Sequence, residues 1–161
     1  MEKLKPVRYA NHRPMLIAGL RRYYPFSEAP GGIPAQWQEA HALGRLPGQV
    51  GATAYGVSCG ADANGFQYMC GMEVESLEAL PAELARVRIL PQTYAVFVHR
   101  GHVSEIGGTW DRILNEWLPN APCESAHKPD FEVYDKCYDA GTGTGEVEIW
   151  ISITRTGDQP A

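Results

Sequence analysis

The sequence predicts an α+β domain made of two βαββ units, with antiparallel sheets, helices on one face and a central cleft where the units meet. Three observations carry that prediction. Two amphipathic segments share an Ile-x-x-x-Trp signature at a constant offset, Ile33/Trp37 and Ile106/Trp110. Each segment is followed by a strand-like run, a Gly-rich loop and a second strand-like run, which is the mark of an internal repeat. The 161 residues suffice for two small units that share one core.

The elements follow in order. MLIAGLRRY (15–23) is the first strand-like run. The first helix is expected over 33–43, IPAQWQEAHAL, after Gly31–Gly32. Pro34 falls in its first turn, where a missing N–H costs nothing, and Ile33, Trp37, Ala40 and Leu43 recur at the spacing of one buried face. VGATAYGVSC (50–59) and FQYMCGMEV (66–74) flank GADANG, whose Gly, Asp and Asn suit a hairpin turn. Residues 75–91 form a Leu/Pro-punctuated linker with a short extended piece. TYAVFVHR (93–100) opens the second unit. Its helix, 104–118, carries Ile106, Trp110, Ile113, Leu114 and Trp117 on one face and stops at Pro119–Asn120. FEVYDKC (131–137) and EVEIWISIT (146–154) close that unit around the loop DAGTGTG. The chain 1–161 is therefore expected to be a single domain, with repeat one over about 7–80 and repeat two over about 86–154. A concave seam between such halves is a common place for a small-molecule site.

Composition excludes several functions. A net charge of −5 and a pI near 5.5, without a Lys/Arg patch, argue against direct nucleic-acid binding. No apolar run approaches the ~20 residues of a membrane span, and the N-terminus lacks the apolar stretch of a signal peptide. A cytoplasmic protein without a membrane partner is expected. Cys59, Cys70, Cys123 and Cys137 show no CxxC spacing, and the histidines form no HxxxH pair, so neither metal nor cofactor is expected. His99 and His102 flank a strand-to-helix turn and read as capping or surface groups, and no Ser–His–Asp or Cys–His arrangement suggests itself. The sequence sets no oligomeric state.

The last strand poses the sharpest question. In GEVEIWISI (145–153), Val147, Ile149, Ile151 and Ile153 point one way and Glu146, Glu148, Trp150 and Ser152 the other. The isoleucines are expected to pack under the helices anchored by Trp37 and Trp110, leaving Glu148 and Trp150 to face the seam. An indole beside a carboxylate suits a flat cation, with cation–π attraction worth about 0.5–2 kcal/mol. Superposing the repeats makes Tyr68 the counterpart of Glu148, with Cys70 and Met72 on its row as an adaptable apolar wall. Tyr55 and Tyr134 lie on the matching middle strands, and Tyr24 ends the first strand. The helical tryptophans Trp37, Trp110 and Trp117 read as core, with the rim of the cleft within reach of Trp37 or Trp110.

TYAVFVHRGHVSEIGGTWDRILNEWLP followed by FEVYDKCYDAGTGTGEVEIWISI resembles the effector-binding domain of AraC-type regulators, which also occurs alone as the GyrI-like small-molecule-binding protein. The first half adds AYGVSC…FQYMCGMEVES and the glycine of MLIAGLRRY, so the resemblance runs from about Val7 to Thr154. It implies a duplicated βαββ fold with an aromatic-lined cleft and a cleft glutamate on the last strand, matched by register to Glu148. It implies bulky, lipophilic, often cationic planar ligands, and hence a stand-alone module for sensing or sequestering drugs or toxins. The alternative is a hydrolase of cyclopropane-type electrophilic natural products, with Glu148 as base and Tyr134 or Tyr68 polarising the leaving group. A weaker alternative is a protein-directed inhibitor, such as one of DNA gyrase. The family-like region begins almost at residue 1, so no N-terminal helix-turn-helix is expected. Ser152 follows Ile151 where the family usually has proline, a change in strand rigidity more than in chemistry.

Overall fold

The computed structural model describes residues 3–155. The strands are β1 (Arg8–His12), β2 (Met15–Pro25), β3 (Gln49–Ala61), β4 (Gly65–Val74), β5 (Ala85–Ile89), β6 (Gln92–Arg100), β7 (Cys123–Ser125), β8 (Asp130–Tyr134), β9 (Tyr138–Asp139) and β10 (Thr144–Arg155). The helices are α1 (Ala29–Ala42) and α2 (Ile106–Arg112). Each predicted βαββ unit is present, as β2-α1-β3-β4 and β6-α2-β8-β10. The two units share one continuous antiparallel sheet in the order β1-β6-β10-β8-β3-β4-β2-β5, with β7 and β9 added on β10. The middle strands of the two units pair at the centre, Ala54 with Tyr134, Gly56 with Glu132 and Ser58 with Asp130. The extended piece expected in the linker is β5, which pairs with β2. The sequence reading did not foresee β1, which lines the far side of β6.

Residues paired across neighbouring strands leave the sheet on the same face. On one face lie the helices. Phe97, Ile149, Ile151 and Ile153 pack there with Ile113, Trp110 and Trp117 of the second helical segment. Tyr24, Tyr68 and Cys70 pack under Ile33 and Trp37 of α1. The β10 isoleucines thus meet the Trp110 helix as expected, while Trp37 covers the other unit. The opposite face is a core built from strand residues alone: Met15, Ile17, Val57, Met69, Phe131 and Trp150 belong to it. Arg13, in the tight β1–β2 connection, bonds Glu73 of β4 through both terminal guanidinium nitrogens and ties that corner down.

α1 begins four residues before the predicted start: Pro30 takes the opening turn, whose N–H groups have no partner within the helix, and Pro34, expected in the first turn, lies inside the helix instead. Gly32 marks a close approach, since a methyl built there would overlap the ring of Tyr24. Fully buried Gln36 then pins the helix: its amide donates to Leu20 O (2.7 Å) and Tyr68 O (3.0 Å), and its oxygen accepts from Tyr24 Oη (2.8 Å). After α2 the backbone widens into a π-turn over Ile113–Trp117 and tightens into a 3-10 turn over Leu118–Asn120, at the predicted stop.

Candidate functional site

A groove of ≈ 2180 Å³ runs between α1 and α2 above the seam where β3 meets β8. Ile33 and Trp37 line it from one helix and Ile106 and Trp110 from the other. Ala54 and Ser58 leave its floor low, and Tyr68, Glu132 and Tyr134 rise from it. The alternation of β8 puts Asp130, Glu132 and Tyr134 on this face, while Phe131 enters the opposite core.

Glu132 is the centre of the site. It is 3% exposed. Its Oε1 accepts from Tyr68 Oη (2.6 Å) and Tyr134 Oη (2.8 Å), and its Oε2 accepts from Trp110 Nε1 (2.7 Å). Trp37 Nε1 in turn donates to Tyr68 Oη (3.2 Å), so an indole from each helix feeds the same carboxylate. Burial raises the Glu132 carboxyl above its ordinary range, and the bonds from Tyr68, Trp110 and Tyr134 pull only partly against that. Burial beside this carboxylate also pushes the Tyr68 and Tyr134 hydroxyls well above the usual phenol range, so both remain donors. Gly56 makes room for the cluster, because a methyl there would overlap both Tyr68 Oη and Glu132 Oε1. With one donor on Oε2, that oxygen keeps a lone pair for a ligand. Glu132 has no ion-pair partner among the described residues; the carboxylates that do are Glu39, Glu73, Glu116, Glu146 and Glu148.

Of the residues singled out in the sequence, the structure brings Tyr68 and Tyr134 together in this groove. The expectation that Glu148 and Trp150 face Tyr68 across the seam is corrected: they lie on the opposite face of the sheet, with Val133 and Phe131 as their cross-strand neighbours. Matching Tyr68 to Glu148 sets the two last strands one residue out of step, and a slip of one moves every side chain to the other face. The acid–indole pair exists there, but the chain's own cation fills it. Arg8 bonds Glu148 through both terminal nitrogens (3.0 and 3.2 Å), and its guanidinium carbon sits 5.3 Å from the Trp150 ring centroid. Trp150 Nε1 donates to Glu148 Oε1 (3.1 Å), and the indole stacks on Phe131 at 5.6 Å. Because Arg8 and Glu148 are partly solvated, Arg8→Ala should cost no more than about 1 kcal/mol in urea unfolding and leave groove ligands unaffected.

Tyr55 belongs to the same opposite core, edge-on to Phe131 at 6.0 Å. Tyr24 and Cys70 are buried beneath α1, where burial pushes the Cys70 thiol upward. Cys70 and Met72 line a separate dent of ≈ 30 Å³, room for about one water. Trp37 and Trp110, read as core, do pack against it, and being half-buried they also wall the groove. Sequence reasoning missed Glu132, although FEVYDKC alternates and puts it on the same row as Tyr134.

The histidines at the strand-to-helix turn hold structure. His99 is buried, with Nε2 2.9 Å from the carbonyl of His102 and Nδ1 2.7 Å from Thr109 Oγ1. A carbonyl only accepts, so Nε2 carries the proton. His102 Nδ1 accepts from Ser104 N (3.1 Å). Among the described residues no group of three or more His, Cys, Asp or Glu is placed to hold a metal ion. No helix among them is long and apolar enough to cross a membrane.

Asp130, at the end of the β8 row, accepts from Ser152 N (2.7 Å), and burial raises its carboxyl to about 6. Unfolded aspartate titrates near 4, so folding favours the protonated form. Its stabilising contribution is full below pH ~4 and is lost as pH rises through ~6. Asp130→Asn should flatten that fall in thermal unfolding followed from pH 4 to 8.

The GyrI-like small molecule binding domain model matches residues 7–154. The transcriptional regulator BrlR of Pseudomonas aeruginosa is 29% identical over 136 residues; the match covers 80% of this chain and 49% of BrlR, so the chain spans about half the length of that curated relative. Among solved structures, SAV2435 bound to tetraphenylphosphonium superposes with a TM-score of 0.73 at 14% identity, over 91% of this chain and 93% of that one. The C-terminal domain of EcmrR superposes with a TM-score of 0.65 at 14% identity, over 92% and 97%. An integron cassette protein from Vibrio cholerae reaches 0.67 at 18% identity, over 91% and 95%. These likenesses establish a shared fold, and the matched length of the family model establishes more: this chain belongs to the GyrI-like small-molecule-binding domain family.

Proposed function

We propose that the groove between α1 and α2 captures lipophilic cations, with Glu132 as the counter-charge and Trp37 and Trp110 as flat walls. The observation that carries this reading is a desolvated carboxylate, open to an aromatic groove, with no cation of the chain against it. Keeping such a charge out of water is costly, and a bound cation recovers part of that cost. The tetraphenylphosphonium on the structural neighbour SAV2435 supports the same ligand class. The role that follows is drug or toxin sensing, or sequestration.

The test is a titration with tetraphenylphosphonium and with neutral triphenylphosphine oxide, read by quenching of tryptophan fluorescence. The cation should bind at least about tenfold more tightly. Equal affinities, or no binding of either, would sink the proposal.

One observation keeps a hydrolase reading in play: two tyrosine hydroxyls sit on a carboxylate whose affinity for protons is raised. In that reading Glu132, and not Glu148, would take a proton from water while Tyr134 polarises the leaving group. Mass spectrometry after incubation with a cyclopropane-type alkylator checks it. No water adduct above buffer, or unchanged turnover in Glu132→Gln, would remove it.

A further inference from the structure

We infer that Asp130 is a second anchor in this groove, so that it selects elongated ligands carrying two cationic centres about 7 Å apart. The inference rests on the cation-binding reading above and adds the shape of the ligand. Asp130 and Glu132 are alternate residues of β8, so they leave the same face, and the strand rise separates their Cα atoms by about 7 Å. Beside them β3 presents Ala54, Gly56 and Ser58, leaving a low trench along the strand with both carboxyls at its edge.

Their surroundings set these two apart from the other acids of the groove. Asp111 accepts from the Asn115 amide and Asp135 from Cys137 N, both at exposed positions where water screens them. Asp130 is partly shielded, spends Oδ1 on Ser152 N, and has no ion-pair partner among the described residues. His127 and Lys128 line the same end of the groove, neither within ion-pair distance of it. A cation held at Glu132 with a second cation one strand repeat away meets both carboxylates at once, and two such contacts in poorly screened surroundings add.

The probes are 1,5-bis(trimethylammonio)pentane, its ethane-spaced analogue and pentyltrimethylammonium, each titrated by calorimetry. Wild type should bind the pentane dication at least about tenfold more tightly than the monocation, well above the factor of about two that two equal heads give by statistics. The ethane dication, too short to span the pair, should lose that preference. In Asp130→Asn, which keeps the acceptor for Ser152 N, the dication-to-monocation ratio should fall to about two, with thermal unfolding run in parallel to check the fold. A wild-type ratio of about two beside measurable monocation binding, or a flat spacer series, overturns the inference and leaves the cation reading standing. A ratio retained in a folded Asp130→Asn also overturns it. Failure of wild type to bind the monocation and both dications sinks it together with the reading it rests on.

Discussion

Glu132→Gln is expected to weaken tetraphenylphosphonium binding by about tenfold to a hundredfold, the largest effect of any single substitution in the groove. The change keeps volume and removes the charge. It also sets an amide NH₂ against either the Trp110 N–H or the two tyrosine hydroxyls, which all now donate to the carboxylate. A buried donor left facing a donor costs about 1–3 kcal/mol, so a loss of stability in urea unfolding should accompany the loss of affinity. Triphenylphosphine oxide, which owes nothing to the charge, should lose far less. An affinity for the cation unchanged in Glu132→Gln would show that the carboxylate is not its counter-charge. The same residue gives binding a pH dependence with a definite sign. Burial places its carboxyl above the ordinary range, so cation affinity should fall on acidification at a pH higher than a solvated glutamate would give. Titrations between pH 8 and pH 5 measure this.

Gly56→Ala should be nearly as damaging, although it adds one methyl. That methyl would overlap the Tyr68 hydroxyl and Glu132 Oε1, which are held to each other at 2.6 Å. Either the hydrogen bond breaks or the central β3–β8 ladder shifts. Overpacking of this kind costs about 1–3 kcal/mol, and here it strikes the ligand's counter-charge as well. Thermal unfolding and tetraphenylphosphonium titration of the same variant should both show the loss. A variant that unfolds and binds like wild type would mean that the cluster is slack enough to yield.

The fold could be read from the chain because its signals are redundant. Ile-x-x-x-Trp recurs in both helices, Gly-rich loops separate the paired strands, and Pro119–Asn120 stops the second helical segment. β1 escaped because Arg-Tyr-Ala-Asn-His has the mixed polarity of a sheet edge and no apolar period. The site was half legible, through Tyr68 and Tyr134. The rest was lost to parity. In β10 both rows are largely buried, one under a helix and one inside the curled sheet, so alternation alone does not say which row meets the groove. Glu148 and Trp150 had the right chemistry for a cation, and Arg8, lying 140 residues earlier, satisfies it. Glu132 goes unmarked in the sequence because only Tyr134 of its partners is local; Tyr68 and the Trp110 indole, 64 and 22 residues away, complete its burial.

The direct pairing of Gly56 with Glu132 has a meaning for descent. β3 and β8 are equivalent strands of the two units, and they meet antiparallel at the middle of the molecule. Two identical copies joined this way would repeat every residue across the axis: two carboxylates, or an empty floor with no charge at all. Fusing the copies into one chain frees them to diverge, so that one half supplies the acid and the other the space it occupies. A single off-centre charge under two matched indoles is something a symmetric dimer of half-length chains has no means to build.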